Sequence, residues 1–319
     1  MKRISLIIAM LMVTTLAMQA QKVQKGTFWH DGFTFYHANA IDRDGTIHFV
    51  GGSLHEGGSQ FALKTTTKAG EYTLAENVPG DEYSMNVSYL LRPGNRVTLN
   101  TVAGEQVLMF YDGKGALNTV LYAFDGDLYK TMVADIHTLL AGQYRDTRNR
   151  AFTFTEQGLF SGPGESDLKP YHILEEYDIP SNVITTPAGT TYQVHITPEG
   201  IDLWHGMFNT DEESFIPDDN VTALTRTRSP FGVGIWPFAS SQLLSPTLIA
   251  HFAKPTLRLM RNEIWARHGY IFTAPDLQQY FTAQPWYTPG DSNDAIQLSD
   301  IEQLNVDLIK AMENRPDND

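Results

Sequence analysis

Short runs of strand-forming residues, each ended by a turn that contains glycine, fill the chain from Gly26 to about Tyr111. The runs include Phe33 to Tyr36, Thr46 to Val50, Gln60 to Leu63, Met85 to Leu91, Arg96 to Leu99 and Gln106 to Tyr111. Between them lie turn pairs such as Asp44-Gly45, Gly51-Gly52, Gly57-Gly58, Pro93-Gly94 and Ala103-Gly104. Strands this short and this regularly interrupted are typical of antiparallel β proteins. The pattern therefore predicts a β-sandwich or a small β-barrel.

A second β-rich region follows a predicted helix. Apolar residues at three-to-four spacing from Leu128 to Leu140, closed by Gly142, predict the helix. Candidate strands then include Ala151 to Phe154, Tyr192 to Ile196 and Ile201 to Trp204. The segment Leu140-Ala-Gly-Gln-Tyr144 and the Pro198-Glu-Gly200 hairpin resemble the start and the end of lipocalin-like barrels. This resemblance implies a barrel and carries no ligand with it.

The two β regions end in similar hairpins. The first ends in Phe110-Tyr-Asp-Gly113 and the second in Leu203-Trp-His-Gly206. A degenerate duplication of one β unit and the independent use of one kind of hairpin both explain this similarity.

The composition then becomes acidic. The stretch from Asp211 to Asp219 combines acidic side chains with Pro217, and Arg226 to Pro230 follow it. Charge runs and proline are typical of segments outside packed cores. We therefore expect a linker over residues 209–235.

The last part of the chain carries helix signals. Ser245-Pro246 and Pro255 are suitable helix starts, and the helix that begins near Pro255 should end at Gly269 in the left-handed conformation. Pro275 predicts a short helix. Ser299-Asp-Ile-Glu302 has the pattern of a capping box, and an apolar stripe follows it. We expect a small helical domain.

Within this helical part, one run and several later residues have a recognisable order. They are Arg261-Asn-Glu-Ile-Trp-Ala-Arg-His-Gly-Tyr270, Ile271-Phe272, Leu277, Tyr280-Phe281, Pro285-Trp286-Tyr287, Ile301-Glu302 and Asn305. With this order, the segment from Trp236 to Glu313 resembles a YARHG domain. The resemblance implies an exported bacterial protein and brings no assigned activity. Trp265 stands where the family has tyrosine, so a packing role fits this position and a role that needs a phenolic oxygen does not.

The polar residues of this motif either hold the helices together or bind a ligand. Arg261 and His268 share a helix face with apolar residues, so each needs a carbonyl, a carboxylate or a ligand as a partner. Glu263 and Arg267 are four residues apart and are expected to form an ion pair. The candidate binding residues are Arg261, Asn262, Glu263, Trp265, Arg267, His268, Tyr270, Trp286 and Asn305.

The first residues have the pattern of a signal peptide. Two basic residues precede an apolar segment, Ile4 to Met18, and small Ala20 follows. The apolar segment of about fifteen residues is shorter than the roughly twenty that a membrane-spanning helix needs. We expect cleavage before Gln21, no membrane span afterwards, and a periplasmic or secreted protein. Because the chain has no cysteine, it has neither a disulfide nor a lipid-modified cysteine.

Charge and missing motifs disfavour several function classes. The net charge of −14 becomes −16 when Lys2 and Arg3 are lost with the leader, which disfavours nucleic acid as a partner. No Walker loop or nucleophile elbow is present, and Glu263 and His268 do not have the spacing of a metalloprotease pair. We expect no cofactor and no metal. The alternative is a metal site made from Asp31 and the nearby histidines His30, His37, His48 and His55.

The sequence therefore predicts a multidomain β plus α protein, with antiparallel β-barrel or sandwich units before a small helical C-terminal domain. The expected divisions are a signal peptide (1–20), a β-rich domain (21–125), a second β-rich domain with a leading helix (126–208), an acidic linker (209–235) and the helical domain (236–319). The leading hypothesis is a non-catalytic cell-envelope protein that binds a wall component, a glycan or a protein partner through the helical domain. The alternative is a hydrolase of cell-wall or glycan material, with Glu263 and His268 as acid and base.

Overall fold

The computed structural model describes residues 22–31, 35–52, 60–78, 95–124, 127–176, 179–197, 199–246, 249 and 252–315. The predicted signal peptide and the predicted strand Met85 to Leu91 lie outside these residues. The chain divides into two compact units, residues 1–125 and 126–319. A closed antiparallel barrel, a second antiparallel sheet and a helical C-terminal region confirm the predicted multidomain β plus α fold class.

The first unit contains a closed antiparallel barrel of eight strands. Each strand pairs with the next in the chain, and β1 also pairs with β8. The strands are β1 (Phe28–His30), β2 (Phe35–Ile41), β3 (Ile47–Gly52), β4 (Gln60–Thr65), β5 (Glu71–Val78), β6 (Arg96–Val102), β7 (Glu105–Tyr111) and β8 (Leu117–Phe124). Pairing of β1 with β8 satisfies backbone groups that an open sheet would leave at its edges.

Side chains fill the core of the barrel. On β6, Val97 and Leu99 are buried while the residues between and beside them are more exposed, as the two-residue period of a strand requires. Aromatic residues are the largest side chains of this core, and Phe49 stacks on Phe61 with ring centroids 4.4 Å apart. The largest core residues are Trp29, Tyr36, Phe49, Phe61, Tyr72 and Phe110.

The second unit contains a nine-stranded antiparallel sheet with the order β12-β11-β10-β9-β17-β16-β15-β14-β13. The chain passes from one edge strand, β12, to the other, β13, through Tyr171 alone. The strands are β9 (Gly142–Asp146), β10 (Ala151–Phe154), β11 (Leu159–Gly162), β12 (Glu165–Pro170), β13 (His172–Glu176), β14 (Ile179–Thr185), β15 (Thr191–Ile196), β16 (Gly200–Asn209) and β17 (Ser214–Arg228).

The predicted helix before this sheet is confirmed as α1 (Leu128–Leu140). The Asp127 side chain caps it by accepting a hydrogen bond from the Lys130 N–H at 3.4 Å. At its other end Leu140 joins the core of the sheet, and the buried Tyr144 donates its hydroxyl to the Leu140 carbonyl at 2.7 Å. The helix is therefore fixed to the sheet by apolar packing and by this hydrogen bond.

The predicted linker over residues 209–235 is wrong for most of its length. Residues Ser214–Arg228 form β17, which pairs with β16 and, from Leu224 onward, with β9. The acidic residues and Pro217 fit this strand because its first ten residues are paired on one side only and are mostly exposed. The two similar hairpin ends also differ, because Gly113 lies in a turn and Gly206 lies inside β16.

From Lys254 to Arg315 the structure describes three α-helices: α2 (Lys254–Arg267), α3 (Pro275–Thr282) and α4 (Asp300–Glu313). Short 3-10 helices cover Pro237–Ser240 and Asn293–Ala295. Pro255 lies in the first turn of α2, Pro275 begins α3, and the predicted capping box of Ser299 and Glu302 begins α4. The predicted start at Ser245-Pro246 lies at the edge of the described residues. In the described part of the chain, no helix is both long and apolar enough to cross a membrane.

Candidate functional site

Helix α2 carries the motif residues and is held by its apolar face. Leu257, Met260 and Ile264 are buried on this helix. The helix ends at Arg267, and Gly269, two residues later, has a φ of +77°, which lies in the left-handed region that favours glycine. Gly290 donates its N–H to the Gly269 carbonyl at 2.7 Å, and a Cβ on Gly269 would lie 2.9 Å from the Gly290 nitrogen. Glycine at this position therefore permits both the helix end and the close approach of a second segment.

Glu263 is the most buried charged residue of the motif, with 1% of its surface exposed. Its carboxylate accepts the N–H groups of Ile235 at 2.9 Å and Trp236 at 2.7 Å, and also the guanidinium of Arg267. Burial raises the pKa of Glu263, and Arg267 and the two N–H donors oppose that rise. All three partners are donors, so the arrangement fits an ionised acceptor. Gly234 allows the approach, because a Cβ there would collide with this carboxylate.

Arg267 extends the network from Glu263 to neighbouring segments. Its Nη1 donates to the Ser240 hydroxyl at 2.9 Å and its Nε donates to the Val233 carbonyl at 3.2 Å. Ser240 in turn hydrogen-bonds with Glu302 of helix α4. The predicted Glu263–Arg267 ion pair is thus confirmed, and it belongs to a larger polar network.

His268, at the end of α2, also contacts Glu302. Its Nε2 lies 2.8 Å from Glu302 Oε1, while Glu302 Oε2 accepts the Ser299 N–H at 2.9 Å. Burial acts to raise the pKa of Glu302, but the hydrogen bonds from Ser299, His268 and Ser240 outweigh it and hold the pKa below its ordinary value. One carboxylate therefore caps α4 and binds the end of α2.

Arg261 and Asn262 also have partners within the helical part. Arg261 donates from Nε and Nη2 to the two carboxylate oxygens of Glu313, at 2.5 and 3.0 Å. Asn262 donates its amide to the Arg258 carbonyl at 2.7 Å. The expectation that Arg261 and His268 contact a carbonyl, a carboxylate or a ligand is confirmed, because each contacts a carboxylate.

Asn305 is fully buried and joins α4 to the segment before α2. Its amide nitrogen donates to the carbonyls of Ala239 at 2.8 Å and Gln242 at 2.7 Å. Its amide oxygen accepts the Leu244 N–H at 3.1 Å. This one side chain satisfies three backbone groups, which would otherwise carry the cost of unpaired burial.

The aromatic candidates lie together around a small core. Phe272 and Phe281 stack at 4.6 Å in its centre, with Trp265, Tyr270 and Trp286 packed around them. The Trp265 and Tyr270 rings are 5.7 Å apart. Unlike the two phenylalanines, these three outer residues are only partly buried. The structure therefore brings the aromatic candidates into one cluster and leaves part of each accessible.

Glu263 and His268, the acid and base of the hydrolase alternative, have different partners in the structure. Glu263 is bound by Arg267 and by two backbone N–H groups, whereas His268 is paired with Glu302. An acid and a base of one reaction must reach the same substrate, and the separate partners of these two side chains give that assignment no support.

The histidines of the first β region are dispersed. His37 stacks on Phe28, His48 pairs with Asp42 at 2.8 Å, and burial lowers the pKa of His30 to about 4. His55 lies outside the described residues. In the part of the chain that the structure describes, no three histidine, aspartate or glutamate residues come together as metal ligands.

Sequence reasoning missed three residues that hold the motif in place: Ser240, Arg226 and Glu313. Arg226 contacts the carbonyl of Ile235, the residue whose N–H binds Glu263, and its Nε donates to the Tyr144 hydroxyl at 3.0 Å. It therefore connects the sheet to the segment that Glu263 holds. Each of these residues is distant in sequence from its partner or lies in an irregular segment. The periodicity of helices and strands therefore could not indicate these contacts.

Comparison with known proteins places this network in a domain family. The family model of the YARHG domain matches residues 234–314, which confirms the resemblance predicted for Trp236 to Glu313. Such domains are typically extracellular or periplasmic modules. No curated protein and no solved structure matches the chain. The lipocalin-like resemblance of the middle region stays a prediction.

Proposed function

We propose that this protein is a non-catalytic binding protein of the bacterial cell envelope. It binds a wall component, a glycan or a protein partner through the aromatic surface of its YARHG domain. The observation that carries the proposal is the cluster of partly exposed rings formed by Trp265, Tyr270 and Trp286. Aromatic faces provide large contact areas for sugars and for peptide side chains at a small entropic cost.

The polar motif residues support this choice of surface. The side chains of Arg261, Glu263, Arg267 and His268 are each bound to a carboxylate or a guanidinium of the same domain. A ligand would have to break these pairs to bind there, at the cost of leaving charged groups unpaired. The rings can be contacted without breaking any of them, so binding uses the rings and the polar residues hold them in place.

Export is part of the proposal. It is supported by the leader-like first residues, which end at Ala20, and by the usual location of YARHG domains. Mature protein isolated from the periplasm or the medium should begin at Gln21 when its N-terminus is sequenced. Exported protein that still begins at Met1 would contradict cleavage.

We also propose that residues 236–319 form a helical domain that folds by itself. A β-rich domain at 21–125 and a second one precede it, and the second, predicted at 126–208, is extended to Arg228 because β17 pairs with β16 and β9. Pro275 at the start of α3, the capping box of α4 and the separate aromatic core support this division. Arg226 and Tyr144 show that the sheet also contributes to the surroundings of Glu263. Circular dichroism of the isolated segment should show a helical spectrum, and a coil spectrum would contradict independent folding.

The binding proposal is tested with the full mature chain and purified, insoluble cell-wall material. Trp286→Ala should reduce the bound fraction by about tenfold, since loss of one aromatic anchor removes about 1 to 2 kcal/mol. Trp286→Phe should retain most of the binding because it keeps a ring. The matched control is Phe28→Ala, which removes another partly exposed ring, in the first unit.

Envelope extracts provide the second arm of this experiment, because the partner class includes proteins. Each variant is first checked by thermal melting, so that a loss of folding is separated from a loss of contact. If correctly folded Trp265→Ala and Trp286→Ala variants bind wall material and envelope protein as the unaltered chain does, the aromatic surface is not the binding surface.

A further inference from the structure

The distal part of the β16–β17 hairpin extends beyond the sheet. The pairing of β15 with β16 ends at Thr191 and Gly206, and the pairing of β9 with β17 begins only at Leu224. In the described pairings, residues 207–209 therefore pair only with β17, and residues 214–223 pair only with β16, whose residues 202–206 also pair with β15. We call residues 204–223 the arm. A two-stranded hairpin has little core of its own, and a partner that packs against it would stabilise it.

Exposed apolar side chains concentrate on the arm. Trp204 lies opposite Val221 and Met207 lies opposite Ile216, as two cross-strand pairs. These four residues are 38 to 66% exposed. Trp204 and Val221 lie at the base of the arm, where Trp204 also pairs with Gln193 of β15, and Met207 and Ile216 lie on its projecting part. Isolated exposed apolar residues are ordinary, but four such residues gathered on one hairpin mark an interaction surface.

The charge of the arm defines the chemistry of its partner. The arm has five acidic residues and no lysine or arginine: Asp211, Glu212, Glu213, Asp218 and Asp219. A cationic segment with apolar side chains is complementary to the negative charge of the arm and to its exposed apolar residues. An anionic lipid surface or a nucleic acid would be repelled.

A second copy of this chain fits the arm poorly. The mature chain carries a net charge of −16, so two arms would bring like charges together. Pro217 and the adjacent Asp218 and Asp219 also lie on the free edge of β17, and such residues hinder the addition of another strand. The partner therefore packs against the side chains and does not extend the sheet.

We propose that the arm is a docking surface for a cationic, apolar segment of a partner protein. This surface is separate from the aromatic cluster of the YARHG domain, and the proposal does not depend on the proposed function. The apolar pairs provide contact area. The acidic residues attract the cationic partner and repel anionic partners.

The test uses the full mature chain and a synthetic peptide in which lysine alternates with leucine, with binding measured by calorimetry. Binding should weaken by about tenfold for Met207→Ser combined with Ile216→Ser, and also for Asp211→Asn combined with Glu212→Gln. The matched control is Glu105→Gln combined with Asp291→Asn, which removes two charges from exposed positions outside the arm and should leave affinity unchanged. A peptide with serine in place of leucine should bind about tenfold more weakly.

Several outcomes would overturn the proposal. Equal weakening by the control variant would mean that the peptide responds only to net charge. Equal affinity for the serine peptide would mean that the apolar pairs take no part. Sedimentation that detects dimers of the unaltered chain, lost in the Met207→Ser and Ile216→Ser variant, would make a second copy the occupant. Melting curves of all variants should match, because every changed side chain is exposed.

Discussion

His268 and Glu302 lie 2.8 Å apart although 34 positions separate them in the chain. His268 follows the last residue of α2, and Glu302 lies in the first turn of α4. The pair therefore joins the end of one helix to the beginning of another. Glu302 also closes the capping box with Ser299, so the loss of one carboxylate would affect both a helix cap and a contact between helices.

Glu302→Gln should change how stability depends on pH. The pKa of Glu302 is lower in the folded protein than its ordinary value, so folding favours the ionised carboxylate. The resulting stabilisation is complete above the unfolded-state pKa of about 4.3 and is lost as the pH falls through the folded-state pKa. At pH 7 the variant should melt at a lower temperature than the unaltered chain, and the difference should shrink in acid. Melting curves between neutral and acidic pH check this, and a constant difference would contradict it. His268→Ala removes one hydrogen-bond donor to Glu302. It should lower the melting temperature at pH 7 by less than Glu302→Gln does, and this difference should also shrink in acid.

Glu263→Gln should be among the most destabilising single changes in the YARHG domain. It leaves the guanidinium of Arg267 largely buried without a carboxylate, a loss of about 3 to 5 kcal/mol in the free energy of unfolding. Urea denaturation gives this value directly. The exposed Glu156→Gln serves as the control and should change the free energy by less than about 0.5 kcal/mol. Unchanged stability in Glu263→Gln, together with loss of a ligand, would make Glu263 a binding residue instead.

Local features of the YARHG domain could be predicted because their causes lie within a few residues. The Glu263–Arg267 pair, the left-handed Gly269 and the capping box at Ser299 each depend on neighbours in the sequence, and all are confirmed. The partners of Arg261 and His268 could be predicted only as a chemical class. Glu313 and Glu302 lie 52 and 34 positions away, and helical periodicity does not identify contacts at such distances.

The linker prediction failed for a related physical reason. Acidic residues and proline argue against a buried strand, but β17 is paired on one side only until Leu224 and can accept both. Its second partner, β9, begins at Gly142, more than 70 positions before the first residue of β17. The sequence around Pro217 contains no sign of that pairing.

Arg261 and Glu313 should show strong energetic coupling in a double-mutant cycle. Two hydrogen bonds join them, and their side chains are only 23% and 15% exposed, so solvent screens the pair incompletely. The Arg261→Ala and Glu313→Ala cycle should give a coupling of about 1 to 2 kcal/mol. Arg258 and Asp276 provide the comparison, because this more exposed pair should give less than about 0.5 kcal/mol. Equal coupling in both cycles would contradict the role given to Arg261.

Trp265 should behave as a packing residue, despite the tyrosine that the family has at this position. It packs beside Tyr270 around the small aromatic core, so Trp265→Tyr keeps a ring there and should cost less than about 1.5 kcal/mol. Trp265→Ala should cost more, up to about 3 kcal/mol, since the ring is only partly buried. Thermal melting distinguishes the two variants. A tyrosine variant as unstable as the alanine variant would show that the indole itself is required.

Asn305→Asp should unfold the YARHG domain more readily than its small change in shape suggests. The new carboxylate oxygen would replace an amide donor that faces the Ala239 and Gln242 carbonyls, so a buried negative charge would meet two acceptors. The expected loss is about 3 to 5 kcal/mol at neutral pH, because the charge has no partner there. Protonation of the aspartate in acid should recover part of the loss, which distinguishes this cause from a simple packing defect. Urea denaturation at neutral and acidic pH measures both effects. The matched control is Asn220→Asp, the same substitution at an exposed position, which should change stability by less than about 0.5 kcal/mol. A loss in Asn305→Asp no larger than that of the control would mean that Asn305 does not hold these carbonyls.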